Sequence, residues 1–562
     1  MIRKLRWPIL ISLLALAVIA ALLFSQQPEL LPVVPVVEPA PGGIYAEGLI
    51  GSMIRLNPLL DYYNGPDRDV DRLLFSGLLR FDDRGLPLGD LADSWGISRD
   101  GTVYNFSIRP TAIWHDGEPV TSDDVIFTIE RMREDGSPLP DDLRSLWRAV
   151  EIRRLDEKTL QFRLPEPFSP FLDYLTFGVV PEHLLGDLTL AEIIDSPFNL
   201  QPVGSGPYRF DQLIAENGQV VGVALRSFEK FYATPPFIEQ FYFRYYPDAA
   251  TALEAYRSGD ILGIGQVPVE ILEQVLKEPG VSLHTGRLPD LAILFLNLDD
   301  PQVKFFQEVE VRKALLMGLN RQRLIDTILG GQAILADGPI FPGTWAAFEG
   351  VERVEFDPAK SVAMLKQSGF TIPAEDGSVR QNEEGLALSF ELIYTQETYQ
   401  AIAEAIREDW ARLGVEVKLK PLPYDELVTD LDSRLYQAAL VELNLARFPD
   451  PDPYPFWHQA QVSGGQNYAR WNDRQASEYL EQARVTTDLA ERTRLYRNFQ
   501  ARFSQELPAL LLYYPVYRYA VDQEVQGVRM GPLFDPSDRF ATLTRWFLVT
   551  RRATGLQPSP TP

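Results

Sequence analysis

Residues 397–419 constrain the fold more than any other stretch of this chain. Tyr399, Ile402, Ile406, Trp410 and Leu413 recur at helical spacing, the stripe of an amphipathic helix facing a core. Gly414 follows, the residue type that most readily closes a helix through left-handed backbone. Then Val415, Val417 and Leu419 alternate with Glu416 and Lys418, the period-two pattern of a half-buried strand. A helix stopped by glycine and turned into a strand is an α/β unit, and the pattern predicts a mixed α/β protein. Other stretches agree. Tyr104, Phe106 and Ile108 share one face of a strand over 102–108, which Pro110 terminates. Thr121 and Asp124 have the spacing of a capping box, and Val125, Ile129 and Met132 continue as a helix. A further helical stretch covers 311–329, and Asn320 restarts it as a new N-cap.

With 562 residues, 45% of them hydrophobic, the chain exceeds what one core holds, so two or more lobes are expected. A formal net charge of −25 argues against nucleic acid as a partner, because binding phosphates needs clustered cations. There is no cysteine, which excludes disulfides, thiolate metal sites, thiol nucleophiles and a lipidated cysteine.

Arg3, Lys4 and Arg6 precede an apolar run at residues 9–24. Basic residues before such a run hold the N-terminus inside and direct the rest outward. The run reads as an uncleaved membrane anchor. A cleaved signal segment is the rival, with Val18-Ile19-Ala20 as a weak site inside the run. Residues 26–43 carry Pro28, Pro32, Pro35, Pro39 and Pro41, which suits an extended stalk. Residues 551–562 read as a disordered tail.

No catalytic constellation emerges. The four histidines His115, His183, His284 and His458 have no zinc-ligand spacing. No nucleophile elbow, phosphate-binding loop or dinucleotide fingerprint is present. Gly204-Ser205-Gly206-Pro207 reads as a tight turn before a strand. With 78 Asp and Glu, adjacency of carboxylates carries no meaning until a fold assigns it. Each apolar stripe reads as core packing. The expectation is a binder rather than an enzyme, with no cofactor and no metal site.

Several motifs, in order, resemble the extracellular solute-binding proteins that serve oligopeptide, dipeptide and nickel importers. Asn57-Pro58-Leu59-Leu60 and Leu73-Leu74-Phe75-Ser76-Gly77-Leu78 open the resemblance. The most specific part runs from Pro87-Leu88-Gly89-Asp90-Leu91-Ala92-Asp93-Ser94-Trp95 to Trp114-His115-Asp116-Gly117-Glu118-Pro119-Val120-Thr121. Val203-Gly204-Ser205-Gly206-Pro207-Tyr208, Val311-Arg312-Lys313-Ala314-Leu315 and Asn467-Tyr468 with Trp471-Asn472 continue it. The resemblance implies a periplasmic-binding-protein-like α/β fold in which two lobes close over a ligand, with an extra domain on one lobe. By that likeness residues 44–75, 200–289 and 505–550 form the first lobe, 76–199 the extra domain and 290–504 the second lobe. It implies capture of a peptide or similar solute outside the cytoplasm and delivery to ABC permease subunits. A membrane-tethered solute sensor and a binder of a metal chelate are the alternatives.

Peptide-binding relatives carry an ammonium-binding aspartate in a loop matching residues 444–451. Here Arg447 stands at that place and Asn444 where an aromatic is expected. Arg447 either pairs with an acidic ligand group in the crevice or points to solvent or to Asp450. Asp450 or Asp452 is the substitute acid. Tyr454, Phe456 and Trp457 suit either a tolerant ligand wall or lobe core. His458 is either a chelate ligand or a hydrogen-bonded structural residue.

Overall fold

The protein is described by a computed structural model over residues 14–18, 33–82, 84–372, 377–445 and 448–556. It divides into a large unit, Gly42–Leu548, and a small one formed by the two ends of the chain. In the small unit the strands Val33–Ala40 and Val549–Leu556 pair antiparallel, from Val33 opposite Leu556 to Ala40 opposite Val549. The stalk and the tail expected from the sequence are therefore a two-stranded ladder over those residues. Valines favour extended backbone, and a ladder with no third strand tolerates Pro35 and Pro39 because it leaves alternate N–H groups unused. Of the apolar run only residues 14–18 are described, as helix. Among the described residues no helix is long and apolar enough to cross a membrane.

The large unit is built on a twelve-stranded mixed sheet. Its spine is the strand Ala509–Asp522. The first part of this strand pairs with Asp290–Leu296, and the last part with Val281–Arg287 and Gly263–Ile264. Beyond Asp290–Leu296 lie Ala438–Asn444, Ser389–Thr395 and Glu416–Leu422. On the other side lie Ile44–Ile50, Gln240–Tyr246, Gln219–Ser227 and Tyr208–Glu216. Leu291 to Leu296 are all fully buried, as expected of strands covered on both faces. Val281–Arg287 and Asp290–Leu296 are consecutive, so the chain crosses from one half of the sheet to the other there, and returns along Ala509–Asp522. The chain thus passes between the two halves of the sheet at two places along these strands.

The buried cores follow this division. One contains Tyr45, Phe241 and Trp546 together with Phe106, Phe162 and Phe171, so the segment read as an extra domain shares a continuous core with the first half of the sheet. Two others, around Phe390 and Trp410 and around Trp457 and Phe503, cover the two faces of the second half. The segment 76–199 carries its own four-stranded antiparallel sheet, Ala92–Ile97, Val103–Ile108, Thr159–Arg163 and Glu151–Arg154.

The local signals read from the sequence have direct counterparts. The helix Gln396–Leu413 ends on Gly414 at φ 84° and gives way to Glu416–Leu422. Asp124 Oδ2 accepts the Thr121 N–H at 2.7 Å at the head of Ser122–Met132. The stretch 311–329 is two helices, Val309–Met317 and Arg321–Thr327, and the Asn320 side chain accepts from the Arg323 N–H at 2.9 Å.

Candidate functional site

The helix Gly65–Leu74 starts with Pro66 in its first turn and Asp67 beside its positive end, and carries Arg72 in its last turn, an arrangement that suits the helix dipole. Asp67 also accepts from the N–H groups of Ile54 and Arg55, at 3.0 and 2.8 Å. Val70, Leu73 and Leu74 are fully buried and fix the helix to the core. Asp69 pairs with the buried Arg539 at 2.6 Å, and Arg539 pairs with the buried Glu47 at the same distance. The hydroxyls of Tyr45 and Tyr519 donate to Glu47 Oε2 at 2.9 and 2.6 Å. This satisfied network locks the helix against Ile44–Ile50, Ala509–Asp522 and the 3₁₀ segment Pro536–Arg545.

Arg68, Asp71 and Arg72, spaced three and four apart, share one side of the helix and line a cavity of about 500 Å³. Arg68 Nε lies 2.7 Å from Asp535, and Arg72 Nη2 lies 3.1 Å from Asp538. Asp61 and Arg80 complete the charged wall. The facing wall is apolar: Met132, Leu143, Trp147 and Phe177 from the segment 76–199, with Phe75 and Phe534. Asn444 and Phe448, from the second half of the molecule, close it. A concave, largely apolar space with a few convergent charged groups is the usual form of a small-ligand site. Gly178 lies at the wall because a Cβ there would strike Pro58 Cγ at 2.7 Å and Phe75 Cβ at 2.9 Å.

Among the described residues, two charges of this wall have no ion-pair partner. Arg80 makes no ion pair or hydrogen bond among the described residues. Asp71 is 3% exposed, and neither of its carboxyl oxygens accepts a hydrogen bond of good geometry; only the Asn57 backbone N–H draws its pKa down. Burial and the neighbouring Asp61 and Asp67 push the Asp71 carboxyl well above the usual carboxylate range. Burial also pushes Asp61 up to about 8, against the pull of Arg68.

The residues singled out in the 447–458 loop occupy other positions. Arg447 lies outside the described residues. Asp450 is buried and ion-paired with Arg492; it accepts from the Tyr496 hydroxyl at 3.1 Å, and its own N–H donates to Asp173 at 3.0 Å. Asp452 takes both arms of Arg484, at 2.8 and 2.6 Å. Tyr454 stacks on His458 with ring centroids 4.0 Å apart, and the Arg484 guanidinium lies over the Tyr454 ring, 3.9 Å from its centre. Phe456 is half-buried against the second-half core, and Trp457 is fully buried against Phe503 at 4.7 Å. His458 Nδ1 accepts from the Ala460 N–H at 3.0 Å, so Nε2 carries the proton that is donated to Glu481 at 2.9 Å. Both ring nitrogens are thus engaged, and none of these described residues lines the cavity. Among the described residues no group of three or more His, Asp or Glu is arranged to hold a metal ion.

The Gly204-Ser205-Gly206 turn has a mechanical role. A Cβ on either glycine would be driven into the backbone carbonyls at the end of Gly65–Leu74. His115 clamps the same turn: its Nδ1 accepts the Gly204 N–H and its Nε2 donates to the Gly206 carbonyl, each at 3.1 Å. Burial lowers its pKa to about 4. Sequence reasoning missed the cavity wall of Asp61, Asp71 and Trp147. The only trace of it was an aspartate, Asp71, between the buried Val70 and Leu73 on a helix.

Residues 87–466 match the profile of bacterial extracellular solute-binding proteins, family 5 (Middle). The oligopeptide-binding protein AppA of Bacillus subtilis is 25% identical over 531 residues, covering 91% of this chain and 93% of its own. The dipeptide-binding protein of Escherichia coli is 24% identical over 473 residues, covering 79% and 84%. The structure of AppA in complex with a nonapeptide matches with a TM-score of 0.66 at 23% identity, over 91% of this chain and all of that one. HbpA2 from Haemophilus parasuis matches with a TM-score of 0.77 at 22% identity, over 88% and 98%. The periplasmic-binding-protein-like α/β fold expected from the sequence is the fold of these neighbours. With the profile matching more than half of its length, the chain belongs to the bacterial extracellular solute-binding proteins of family 5.

Proposed function

We propose that this protein is the substrate-binding component of an ABC importer, capturing a peptide or peptide-like solute and passing it to a membrane permease. The observation that carries this reading is the cavity, whose charged wall belongs to one half of the sheet and whose closing residues Asn444 and Phe448 belong to the other. A ligand held there touches both halves, and its binding energy favours the closed arrangement about the two crossings. Aromatic and aliphatic side chains on one side tolerate varied ligand side chains, while charged groups opposite orient the main chain or its ends. The names of AppA and of the dipeptide-binding protein point to the same ligand class. Capture needs no covalent step, so the reading includes binding without turnover.

Arg447, flanked in sequence by the cavity-lining Asn444 and Phe448, is proposed as a contact for an acidic ligand group. The N-terminal run is proposed to tether the protein outside the cytoplasm. The test of function is mass spectrometry of small molecules released from the denatured full-length protein, followed by calorimetry with the peptides found. Peptides should bind uncleaved. Release of non-peptide solutes alone, with no binding from a random tripeptide library, would refute the peptide reading.

A further inference from the structure

Within the cavity, Asp71 presents an electrostatic problem that the protein does not solve for itself. A carboxyl buried to this depth normally has hydrogen-bond donors aimed at both oxygens. Here neither oxygen accepts one in good geometry, and only the Asn57 backbone N–H draws its pKa down. Its close neighbour is the Asp61 carboxyl, placed so that the two share a hydrogen bond only if one retains a proton. As carboxylates both are acceptors and repel each other. The cations nearby are committed elsewhere: Arg68 to Asp535, Arg72 to Asp538. Asp67 spends its oxygens on the Ile54 and Arg55 N–H groups and only adds to the negative field. Tyr245, whose hydroxyl is also buried without a partner, feels the charges of Asp67, Asp71 and Asp69. Of the groups that act on Asp71, Asp61 and Asp67 repel a second negative charge, and the Asn57 backbone N–H alone draws the other way.

We propose that Asp61 and Asp71 form the subsite for a cationic group of the ligand, an ammonium or guanidinium, that supplies the donors the Asp71 carboxyl lacks. The proposal rests on the cavity being the solute site, and it names the ligand chemistry of that site. A cation entering between the two carboxyls takes the place of the shared proton, converting a repulsive pair into a charge-assisted clamp. Asp61, pushed up to about 8 by burial, gives up its proton when the cation binds, so cation binding is expected to release protons near neutral pH and to strengthen as pH rises towards 8. Arg80, on the same wall, leaves room for an anionic end on the same ligand, which a zwitterion has.

The source of the cation is separable by probe. Ala-Ala-Ala carries only an N-terminal ammonium, N-acetyl-Ala-Lys-Ala only a side-chain ammonium, N-acetyl-Ala-Ala-Ala neither, and spermidine is a cation without a peptide. These are titrated calorimetrically into the full-length protein and its Asp71→Asn and Asp61→Asn variants. The expected result is that a cationic probe binds at least tenfold more tightly than N-acetyl-Ala-Ala-Ala, and that Asp71→Asn removes most of that preference. Because Asp71→Asn also removes a buried acid that lies in the field of Asp61 and Asp67, the ligand-free variant should melt at or above the temperature of the parent. A merely structural aspartate would instead lower it. Spermidine binding with no peptide binding would overturn the peptide reading and support the subsite. Equal binding of the free and acetylated peptides, unchanged in Asp71→Asn, would overturn the subsite and leave the peptide reading standing. Failure of every probe to bind, or a melting temperature lowered by several degrees in Asp71→Asn, counts against the subsite.

Discussion

The His115 clamp makes the stability of this protein depend on pH in a way that can be isolated. Burial takes the ring's pKa from 6.5 to about 4, and the Gly204 N–H donated to Nδ1 needs the neutral ring, while the bond to the Gly206 carbonyl pulls the pKa up. Arg209 lowers it further and Asp116 opposes. A depressed folded-state pKa means that the neutral form is favoured by folding. The contribution is therefore fully present above pH 6.5 and is lost as pH falls towards 4. Each unit of difference is worth about 1.4 kcal/mol, so between pH 7.5 and 4.5 the loss is roughly 2–3 kcal/mol. Asp61 and Asp71 act in the opposite sense: their raised pKa values make the protein more stable as pH falls below their folded-state values. The total stability curve mixes both, and the remedy is a difference experiment. His115→Gln cannot titrate and keeps a hydrogen-bonding group of similar reach. Urea unfolding of parent and variant, followed by tryptophan fluorescence at pH 7.5, 6.0, 5.0 and 4.5, gives a stability gap at each pH. The gap should be widest at pH 7.5 and narrow by roughly 2–3 kcal/mol at pH 4.5. A gap that stays constant, or widens on acidification, would refute the assignment of a neutral clamp.

Gly204→Ala forces a Cβ into the Leu74 carbonyl and should cost more than about 2 kcal/mol, whereas Gly96→Ala, with open space at its Cβ position, should be near neutral by thermal melting. Arg492→Leu leaves Asp450 and Asp173 buried together without their cation and should destabilise by about 3–5 kcal/mol; Asp450→Leu added to it should restore part of that loss in a double-mutant cycle. Arg447→Ala should weaken an anionic ligand by at least tenfold and Arg447→Asp further, measured at two salt concentrations, and parent-like binding by both would remove Arg447 from the site. N-terminal sequencing of the membrane fraction should find the chain starting at or near Met1, and a soluble product beginning after Ala20 or Ser25 would remove the tether.

Much of the architecture was legible because it is encoded by residues close together in the chain. The stripe ending at Leu413, the glycine at 414 and the alternation after it predict a helix, a left-handed cap and a strand, and all three are there. Asn320 restarts a helix because its side chain reaches an N–H three residues away. The order of motifs carried the family for the same reason: His115 and the two glycines of the 204–206 turn are constrained by direct steric and hydrogen-bonding fit, which leaves few acceptable residue types.

The ligand site obeyed no such local rule. Asp450 looked like a substitute ammonium binder, yet its partners are Asp173, Arg492 and Tyr496, the first of them 277 residues away in sequence. Whether an acidic residue is a structural partner or an open binding group depends on what the fold brings to it. Asp71 is unpaired because helix Gly65–Leu74 turns it into the cavity beside Asp61, while Asp69, two residues earlier, turns onto Arg539. Where helices and strands begin and end, and which family the chain joins, could be read along the chain, since period, capping and steric fit act over a few residues. Which of the 78 acidic side chains face the cavity without a cation beside them depends on the folded arrangement, because charge pairing acts through space between segments that are distant along the chain.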